Sequence, residues 1–279
     1  MILKAFRHLC VFLFSGLTIF IFVNATDSYM HDLNDGCSIT NTAMKGGEKI
    51  VYKAYYNWEF VWVPAGEAEF NIKETTDTYE ITVIGKTYKG YDAFFKVRDY
   101  FHSVIDKKTM FPRRFVRKVE EGNYRRYDSL SFHHDKKHAV SYNGPTKETA
   151  KRKYVTIDEC THDLLSVMYF MRNIDVSKYR PGDKIPTKIL FDEKIYPIKV
   201  RYEGKYDNYE IKDLGTFDAI KVIPDLVTGN VFKEGNMMQI YVSNDGNKLP
   251  LLIESPLSVG SAKAILKSYN GLRHKLVKK

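Results

Sequence analysis

The sequence predicts a mainly β fold, an antiparallel curved sheet that forms a half-barrel or a sandwich, with one short helix. Three observations carry this prediction. From Gly47 onward, strand-length runs rich in Tyr, Phe, Val and Ile are broken by Gly, Asn, Asp and Lys. The hydrophobic period becomes helical only once, over residues 163–173. A strong hairpin signal, Asn-Asp-Gly-Asn, lies at residues 244–247.

Residues 1–25 have the three parts of a secretory signal peptide. Lys4 and Arg7 form a basic start, residues 9–23 are almost entirely apolar, and Ala25 offers the small side chain that a signal peptidase accepts. The apolar run is shorter than the about 20 residues that a membrane-spanning helix needs. We therefore expect cleavage after Ala25 and export to the periplasm or cell envelope of a mature chain that does not span the membrane. An uncleaved N-terminal anchor is the alternative.

Charge limits the classes of partner. The full chain of 279 residues carries a formal net charge of +9. Such an excess suits anionic partners such as lipid headgroups, glycolipids or acidic polysaccharides. The lysines are scattered along the chain, however, so a solvated surface explains the charge equally well. No nucleic-acid recognition motif is present, and nucleic acid is not an expected partner. The oligomeric state is left open.

After an irregular arm at 26–46, we expect one β-rich domain at 47–273 and a basic tail at 274–279. In residues 67–74 apolar and charged side chains alternate, as in a strand with one buried face. Pro64-Ala65-Gly66 and Glu203-Gly204-Lys205-Tyr206 are expected to end strands. The predicted strands are Lys49–Asn57, continued by Trp58–Val63, then Glu67–Glu74, Tyr79–Tyr88, Phe94–Ile105, Phe115–Glu120, Tyr124–Phe132, Ala139–Tyr142, Arg152–Ile157, Lys184–Phe191, Tyr196–Glu203, Tyr206–Ile211, Phe217–Pro224, Met237–Ser243 and Leu249–Glu254.

Two ambiguities concern the helix and the C-terminal segment. Residues 163–173 place Leu164, Met168 and Met171 at helical spacing, and these side chains are suited to fill the concave face of a curved sheet. Residues 262–272 fit either a closing strand or a short helix, and the strand is favoured.

Two cysteines, Cys37 and Cys160, remain after the expected cleavage. Disulfides persist in exported proteins, and an even pair without a competitor favours one bridge. The bridge would join the N-terminal arm to the segment before the helix. A nucleophilic Cys160 assisted by His162 is the alternative.

An aromatic patch supplies the candidate ligand-binding residues. Tyr56, Trp58 and Trp62 lie close together in sequence, and aromatic rings on a concave sheet stack on sugars or line an apolar pocket. Arg98 and Tyr100, which share one face of the Phe94–Ile105 strand, complete the set. Packing in the core or at a sheet edge is the competing explanation for the aromatic rings.

The sequence has no recognisable catalytic or metal-binding motif. His133 and His134 are adjacent, so on a strand they face opposite ways, and neither they nor His138 predict a metal site. Asp99 lies on the apolar face of its strand and needs a buried partner there, such as an arginine on a neighbouring strand. We expect no cofactor, no metal and no catalytic residue, and a non-enzymatic protein is favoured over an enzyme.

Several stretches together resemble a known family. They are Gly47–Tyr52, Tyr56-Asn57-Trp58, Phe95–Tyr100, Asp163–Ser166 and Gly260–Ala264. In collinear order over roughly residues 37–273, they are similar to the exported bacterial family labelled domain of unknown function 3108, common among Bacteroidetes. The resemblance implies a small envelope protein with a signal peptide, an antiparallel β architecture and cysteines placed as Cys37 and Cys160 are. That family has no established activity, so it supplies no catalytic residues.

These observations favour one function over two others. The leading hypothesis is an exported, non-enzymatic module that binds an apolar or amphiphilic envelope component, such as a lipid or glycolipid. A polysaccharide-binding or polysaccharide-processing protein, with Trp58 and Trp62 stacked on sugars, is the second. A structural partner in an envelope assembly is the third.

Overall fold

The structure is a computed structural model that describes residues 37–58, 61–93, 95–225, 237–256 and 260–279. Within these ranges the chain forms fifteen strands and one α-helix, which confirms the predicted β class. The elements are β1 Lys49–Trp58, β2 Val61–Glu74, β3 Thr78–Thr87, β4 Arg98–Asp106, β5 Pro112–Glu121, β6 Tyr124–His133, β7 His138–Gly144, β8 Lys151–Thr156, β9 Thr161–His162, α1 Leu164–Met171, β10 Lys184–Phe191, β11 Lys194–Ile211, β12 Gly215–Pro224, β13 Gln239–Ser243, β14 Pro250–Pro256 and β15 Ser261–Asn270.

All fifteen strands belong to one unclosed sheet. Its order is β8-β7-β6-β5-β4-β3-β2-β1-β15-β14-β13-β12-β11-β10-β9. Strands β1 to β8 run outward from the middle, and β9 to β15 return from the other edge until β15 pairs antiparallel with β1. The chain therefore builds two meanders and joins them at their first and last strands. The strand favoured for residues 262–272 is confirmed as β15.

Two segments that we expected to end strands instead lie inside them. Pro64-Ala65-Gly66 belongs to β2, where the register against β1 shifts between Ala54 and Tyr55. A side chain at Gly66 would lie 2.3 Å from the Lys86 carbonyl oxygen, so the close approach of β3 requires glycine. Gly204, with φ at +112°, likewise forms a bulge inside β11. Both glycines mark bulges, because a bulge and a turn use the same residue types.

The sheet curves around helix α1. Strands β4 and β10 lie far apart in the sheet order, yet α1 packs against both. Leu164 and Met168 contact two apolar clusters, one built on β3 to β6 and one on β10 and β11. The predicted helix is therefore confirmed, and it lies on the concave face as the sequence suggested.

A buried ionic seam joins the two meanders outside the backbone ladder. The Arg117 guanidinium on β5 pairs with Asp128 on β6 and lies 2.6 Å from an Asp192 carboxylate oxygen in the β10–β11 turn. It also stacks on Phe191, with 4.2 Å from the guanidinium carbon to the ring centroid. Arg126 on β6 contacts the same two acids, so two arginines of the basic β5–β6 hairpin form internal ion pairs.

The predicted bridge between Cys37 and Cys160 is confirmed, with 5.4 Å between the two Cα atoms. It ties the irregular segment before β1 to the residues just before β9 and α1. Residues 1–36, which include the predicted signal peptide and cleavage site, lie outside the described residues. At the other end of the chain, residues 274–279 do not extend freely, because Leu276 is buried in the cluster beside β14 and β15. None of the helices within the described ranges combines the length and hydrophobicity needed to cross a bilayer.

Replacing both cysteines with alanine should lower the free energy of unfolding by about 2–5 kcal/mol, because the bridge closes a long loop in the unfolded chain. The two cysteines are 123 residues apart. Urea unfolding of the double variant, compared with wild type with and without reductant, measures the effect. Equal midpoints for oxidised wild type and the double variant would contradict a stabilising bridge.

Candidate functional site

A cavity of about 390 Å³ lies between helix α1 and the concave face of the sheet. This volume falls near the lower end of the range of small-molecule pockets, about 300–1,000 Å³. Most of its lining side chains are aliphatic or aromatic. From the sheet they include Tyr52, Ala54, Ala68, Phe70, Val83, Phe101, Ile185, Ile189, Ile198, Val200, Ile220, Val222, Ile240, Val242, Ile253, Ala262 and Ala264, and from α1 and the residues after it Leu164, Leu165, Val167, Met168, Met171, Ile174 and Val176.

Small side chains in the middle of the sheet create the space. Ala54 on β1 is paired directly with Ala264 on β15 and, on its other side, with Gly66 on β2. Ala68 and Ala262 line the same wall. At alternate positions of a strand these side chains point to one face, and nothing larger than a methyl group projects from them. The recess therefore lies where the two meanders join.

The N-terminus of α1 is held by a buried aspartate. Asp163 caps the helix: its carboxylate accepts hydrogen bonds from the backbone N–H groups of Leu165 at 2.7 Å and Ser166 at 2.9 Å. The Ser103 hydroxyl on β4 donates a third, at 2.6 Å. Burial raises the pKa of Asp163 to about 6, against the lowering effect of these donors. The cap therefore fixes the helix to β4, one wall of the cavity.

The C-terminal end of α1 is held by a buried ion pair. Arg172 Nη1 lies 2.5 Å from Glu48 Oε1, and Arg172 Nη2 donates to Glu48 Oε2 at 2.9 Å. The exposed fractions of the two side chains are 5% and 0%. Arg172 also donates to the carbonyl oxygens of Asn247 at 3.0 Å and Ala43 at 3.3 Å. This pair joins the helix to the start of β1 and to the β13–β14 turn.

Among the described residues that line the cavity, the charged side chains are few and all cationic. They are Arg172 and Lys248, and none of these described lining residues is a carboxylate. Because Arg172 bonds to Asn247, the residue before Lys248, both cations lie at the same end of the cavity. Neither Arg172 nor Lys248 was a candidate from the sequence.

The sequence-predicted ligand residues lie elsewhere. Tyr56 is buried on β1 beyond the cavity wall, and Trp62 is 36% exposed, with the Lys263 ammonium 4.3 Å from its ring centroid. Arg98 donates to both Asp92 carboxylate oxygens. Tyr100 stacks beside His102, with 6.4 Å between the ring centroids.

Tyr56, Trp62, Arg98 and Tyr100 are thus not brought together at the cavity, and none of the four lines it. The side chain of Trp58 lies outside the described residues.

The alternative in which Cys160 is a nucleophile assisted by His162 is excluded here, because Cys160 has no free thiol in the disulfide with Cys37. His162 is buried between Phe111 and Phe170, and burial lowers its pKa to about 3. Its Nδ1 lies 3.2 Å from the Ser166 hydroxyl, which suits a neutral core histidine. Within the described ranges, no group of three or more His, Cys, Asp or Glu side chains is arranged to hold a metal ion.

Asp99 has a different partner from the arginine that we suggested. It is 1% exposed, and its carboxyl shares a side-chain hydrogen bond with Glu121 on the neighbouring β5. The Glu120 backbone N–H donates to Asp99 Oδ1 at 3.0 Å. Burial, reinforced by the charge of Glu121, holds the pKa of Asp99 well above its ordinary value. Two carboxyls that share a proton satisfy each other without a cation.

Comparison with known proteins identifies a family but no activity. The family model described as "Protein of unknown function (DUF3108)" matches residues 51–267, which confirms the resemblance noted above. No curated protein matches the chain.

Two solved structures were matched to the chain, and one of them shares its fold. A barrel-like protein of domain of unknown function DUF1849 from Brucella abortus has a TM-score of 0.54 and 9% identity, and the match covers 82% of this chain and 99% of that one. At this identity, the likeness concerns the fold alone. A Bacteroides fragilis protein with a YmcC-like fold, for which export has been inferred, has a TM-score of 0.32 at 10% identity, over 84% and 100% of the two chains. That score is too low to support a shared fold.

Arg172→Met should lower the free energy of unfolding by about 3–5 kcal/mol, because it leaves Glu48 buried without a counter-charge. The double variant Glu48→Leu/Arg172→Met should recover a large part of this loss. Arg113→Met is the matched control, because its pair with Asp106 is half exposed and should contribute less than about 1 kcal/mol. Denaturant unfolding of all four proteins measures the differences. Similar losses for Arg172→Met and Arg113→Met would contradict the anchoring role.

Asp99→Asn should flatten the dependence of stability on pH. The raised pKa means that the folded protein holds this proton more tightly than the unfolded chain does. Stability from this group is therefore complete below the ordinary aspartate pKa of about 4 and is lost as the pH rises. The asparagine still accepts from Glu120 and donates to Glu121. Unfolding free energies measured from pH 5 to 8 should fall less steeply for the variant than for wild type. Parallel curves would show that Asp99 titrates normally.

Proposed function

Because this chain belongs to the DUF3108 family, whose function is unknown, we propose its function from its own structure: it is an exported, non-enzymatic module that holds an apolar or amphiphilic envelope component in the cavity beside α1. The apolar wall carries the proposal. Strands from both meanders and helix α1 contribute aliphatic side chains to a volume of about 390 Å³. Water in such a space has few hydrogen-bond partners, whereas an alkyl chain is stabilised by leaving water.

Export is supported from the sequence and from the disulfide. The basic, apolar and small-residue pattern of residues 1–25 is typical of a secretory signal, with cleavage expected after Ala25. A bridge between Cys37 and Cys160 is characteristic of proteins that fold outside the reducing cytosol. An envelope component is therefore the proposed class of ligand, a lipid or glycolipid in preference to a soluble metabolite.

A polysaccharide ligand is the second candidate, and one observation favours it. Trp62 is exposed on β2, as a sugar-stacking ring must be. The Lys263 ammonium already covers one face of that ring, at 4.3 Å from its centroid, so one face remains for stacking. The cavity offers far more apolar surface than this single ring, and the lipid proposal is preferred for that reason.

Filling part of the cavity should weaken binding without harming the fold. Ala264→Leu adds three carbon atoms at a position where the side chains of the cavity wall are short. If the space were already filled, the larger side chain would lower the stability of the protein, whereas in a cavity it fills empty space and raises the stability. We expect affinity for the neutral probe N-phenyl-1-naphthylamine, and for dodecan-1-ol that displaces it, to fall roughly tenfold as two methylene groups are excluded. The free energy of unfolding should stay equal or rise. Fluorescence titration of delipidated protein measures the affinity.

Ala93→Leu is the matched control, because the same substitution there falls on an exposed residue away from the cavity. It should leave probe affinity unchanged. The proposed function is refuted if wild type binds neither the probe nor dodecan-1-ol, or if Ala264→Leu and Ala93→Leu bind equally well.

A further inference from the structure

We propose that Lys248 is the headgroup site of the cavity, and that the ligand is a single-chain amphiphile with one anionic head. The alkyl chain would lie along the apolar wall, and the head would pair with the Lys248 ammonium. This inference rests on the proposed function and names the chemical class of its ligand.

The charge of the cavity wall is the first argument. Among the described residues that line it, the two charged side chains, Arg172 and Lys248, are both cationic, and they lie at one end. The polar groups at other points of the wall are poor partners. The hydroxyl oxygens of Thr187 and Ser255 are buried and lack a hydrogen-bond partner among the described residues. A buried oxygen with no accessible surface cannot meet a ligand, so the polarity that a ligand meets is concentrated at the cationic end.

Arg172 already has hydrogen-bond partners within the protein. Its guanidinium donates to both oxygens of Glu48 and to the carbonyl oxygens of Ala43 and Asn247. These bonds use four of its five N–H donors, so an anion that took more than the fifth would have to displace Glu48, which is fully buried. A buried carboxylate released from its partner is strongly destabilising. Arg172 therefore fixes the position of the β13–β14 turn, and Lys248 beside it is the cation that can bind the ligand.

Lys248 has no such commitment. Its side chain is partly buried, and no carboxylate of the described residues lies within ion-pair distance of its ammonium. The charge of Lys248 has a small effect on Asp175. The pKa of Asp175 is lowered chiefly by hydrogen bonds from Ser177, and to a lesser extent by the charges of Lys178 and Lys248. The Ser177 hydroxyl and backbone N–H hold that carboxylate at 2.7 and 3.1 Å. Lys248 is thus a cation in an apolar wall that forms no ion pair with the described residues.

The size of the cavity limits the tail. A volume of about 390 Å³ is near the lower end of the range for small-molecule pockets. This favours one alkyl chain over a two-chain lipid. The competing explanation of Lys248 is that its methylene stem covers apolar surface while its ammonium stays in water. That explanation predicts no preference for an anionic ligand.

Matched ligands separate these explanations. Dodecanoate, dodecyl phosphate, dodecan-1-ol and dodecyltrimethylammonium share a twelve-carbon chain and differ in the head, and each displaces N-phenyl-1-naphthylamine from delipidated protein. We expect wild type to bind one or both anionic ligands about tenfold more tightly than the alcohol, the size of a charge-assisted hydrogen bond. The cationic ligand should bind most weakly. The preference should shrink as salt rises from 20 to 500 mM, because salt screens a partly exposed pair, roughly as the Debye length shortens. The two anions distinguish a carboxylate from a phosphate head.

Lys248→Gln should bring the anions to the affinity of dodecan-1-ol while leaving the alcohol unchanged. Lys205→Gln is the control, because Lys205 is exposed on β11 and does not line the cavity, and it should keep the full preference. Lys248→Arg should keep it as well. If wild type binds the alcohol and the anions equally, or Lys248→Gln retains the preference, the headgroup site is refuted while the cavity proposal stands. If no twelve-carbon ligand displaces the probe, both fail together.

Discussion

The position of helix α1 depends on buried polar contacts at its two ends, and the cavity depends on the helix. Asp163 joins the N-terminus to Ser103 on β4, and Arg172 joins the C-terminus to Glu48 before β1. An eight-residue helix is about 12 Å long, too short to cover the concave face of a sheet this wide. Because both ends are tethered, the helix cannot shift to close the gap that remains. The cavity is therefore a consequence of one short helix held at fixed points.

Among the described residues, the two meanders are joined by at least three kinds of interaction. The β1–β15 ladder supplies backbone hydrogen bonds, and the helix supplies apolar contacts to β4 and β10. The third is the ionic seam of Arg117 with Asp128 and Asp192, which is buried and stacked on Phe191. A pair of this kind contributes little net stability compared with apolar packing, but it disfavours any arrangement that leaves one charge unpaired. The seam thus favours the arrangement in which β5 lies beside the β10–β11 turn.

Local patterns predicted the elements, whereas the cavity and its charges arise from long-range pairing. Alternation and helical spacing located nearly all strands and the helix, and an even cysteine count gave the bridge between Cys37 and Cys160. Local patterns failed at Gly66 and Gly204, because glycine is typical both of turns that end strands and of bulges inside them. The pairing of Ala54 with Ala264 requires knowledge that β1 and β15 are neighbours, which no local period contains. The available signal was alanine at Ala54 of β1 and at the alternate positions Ala262 and Ala264 of β15, where bulkier side chains are usual. The ion pair of Glu48 and Arg172, 124 residues apart, had no signal at all.

Charge placement around the cavity follows one physical rule with one exception. In the interior, burial disfavours a lone charge, and the protein meets that cost by pairing or by neutralisation. Arg172 has Glu48, and Arg117 has Asp128 and Asp192. Asp99 and Asp163 have raised pKa values because burial favours their protonated forms. Lys248 alone, among the described residues that line the cavity, combines a charge, an apolar setting and no acidic partner. Lys248 is half-buried, so its side chain can reach water at the cationic end of the cavity. An amphiphile entering there would keep its head in that water and lose only its tail to the wall.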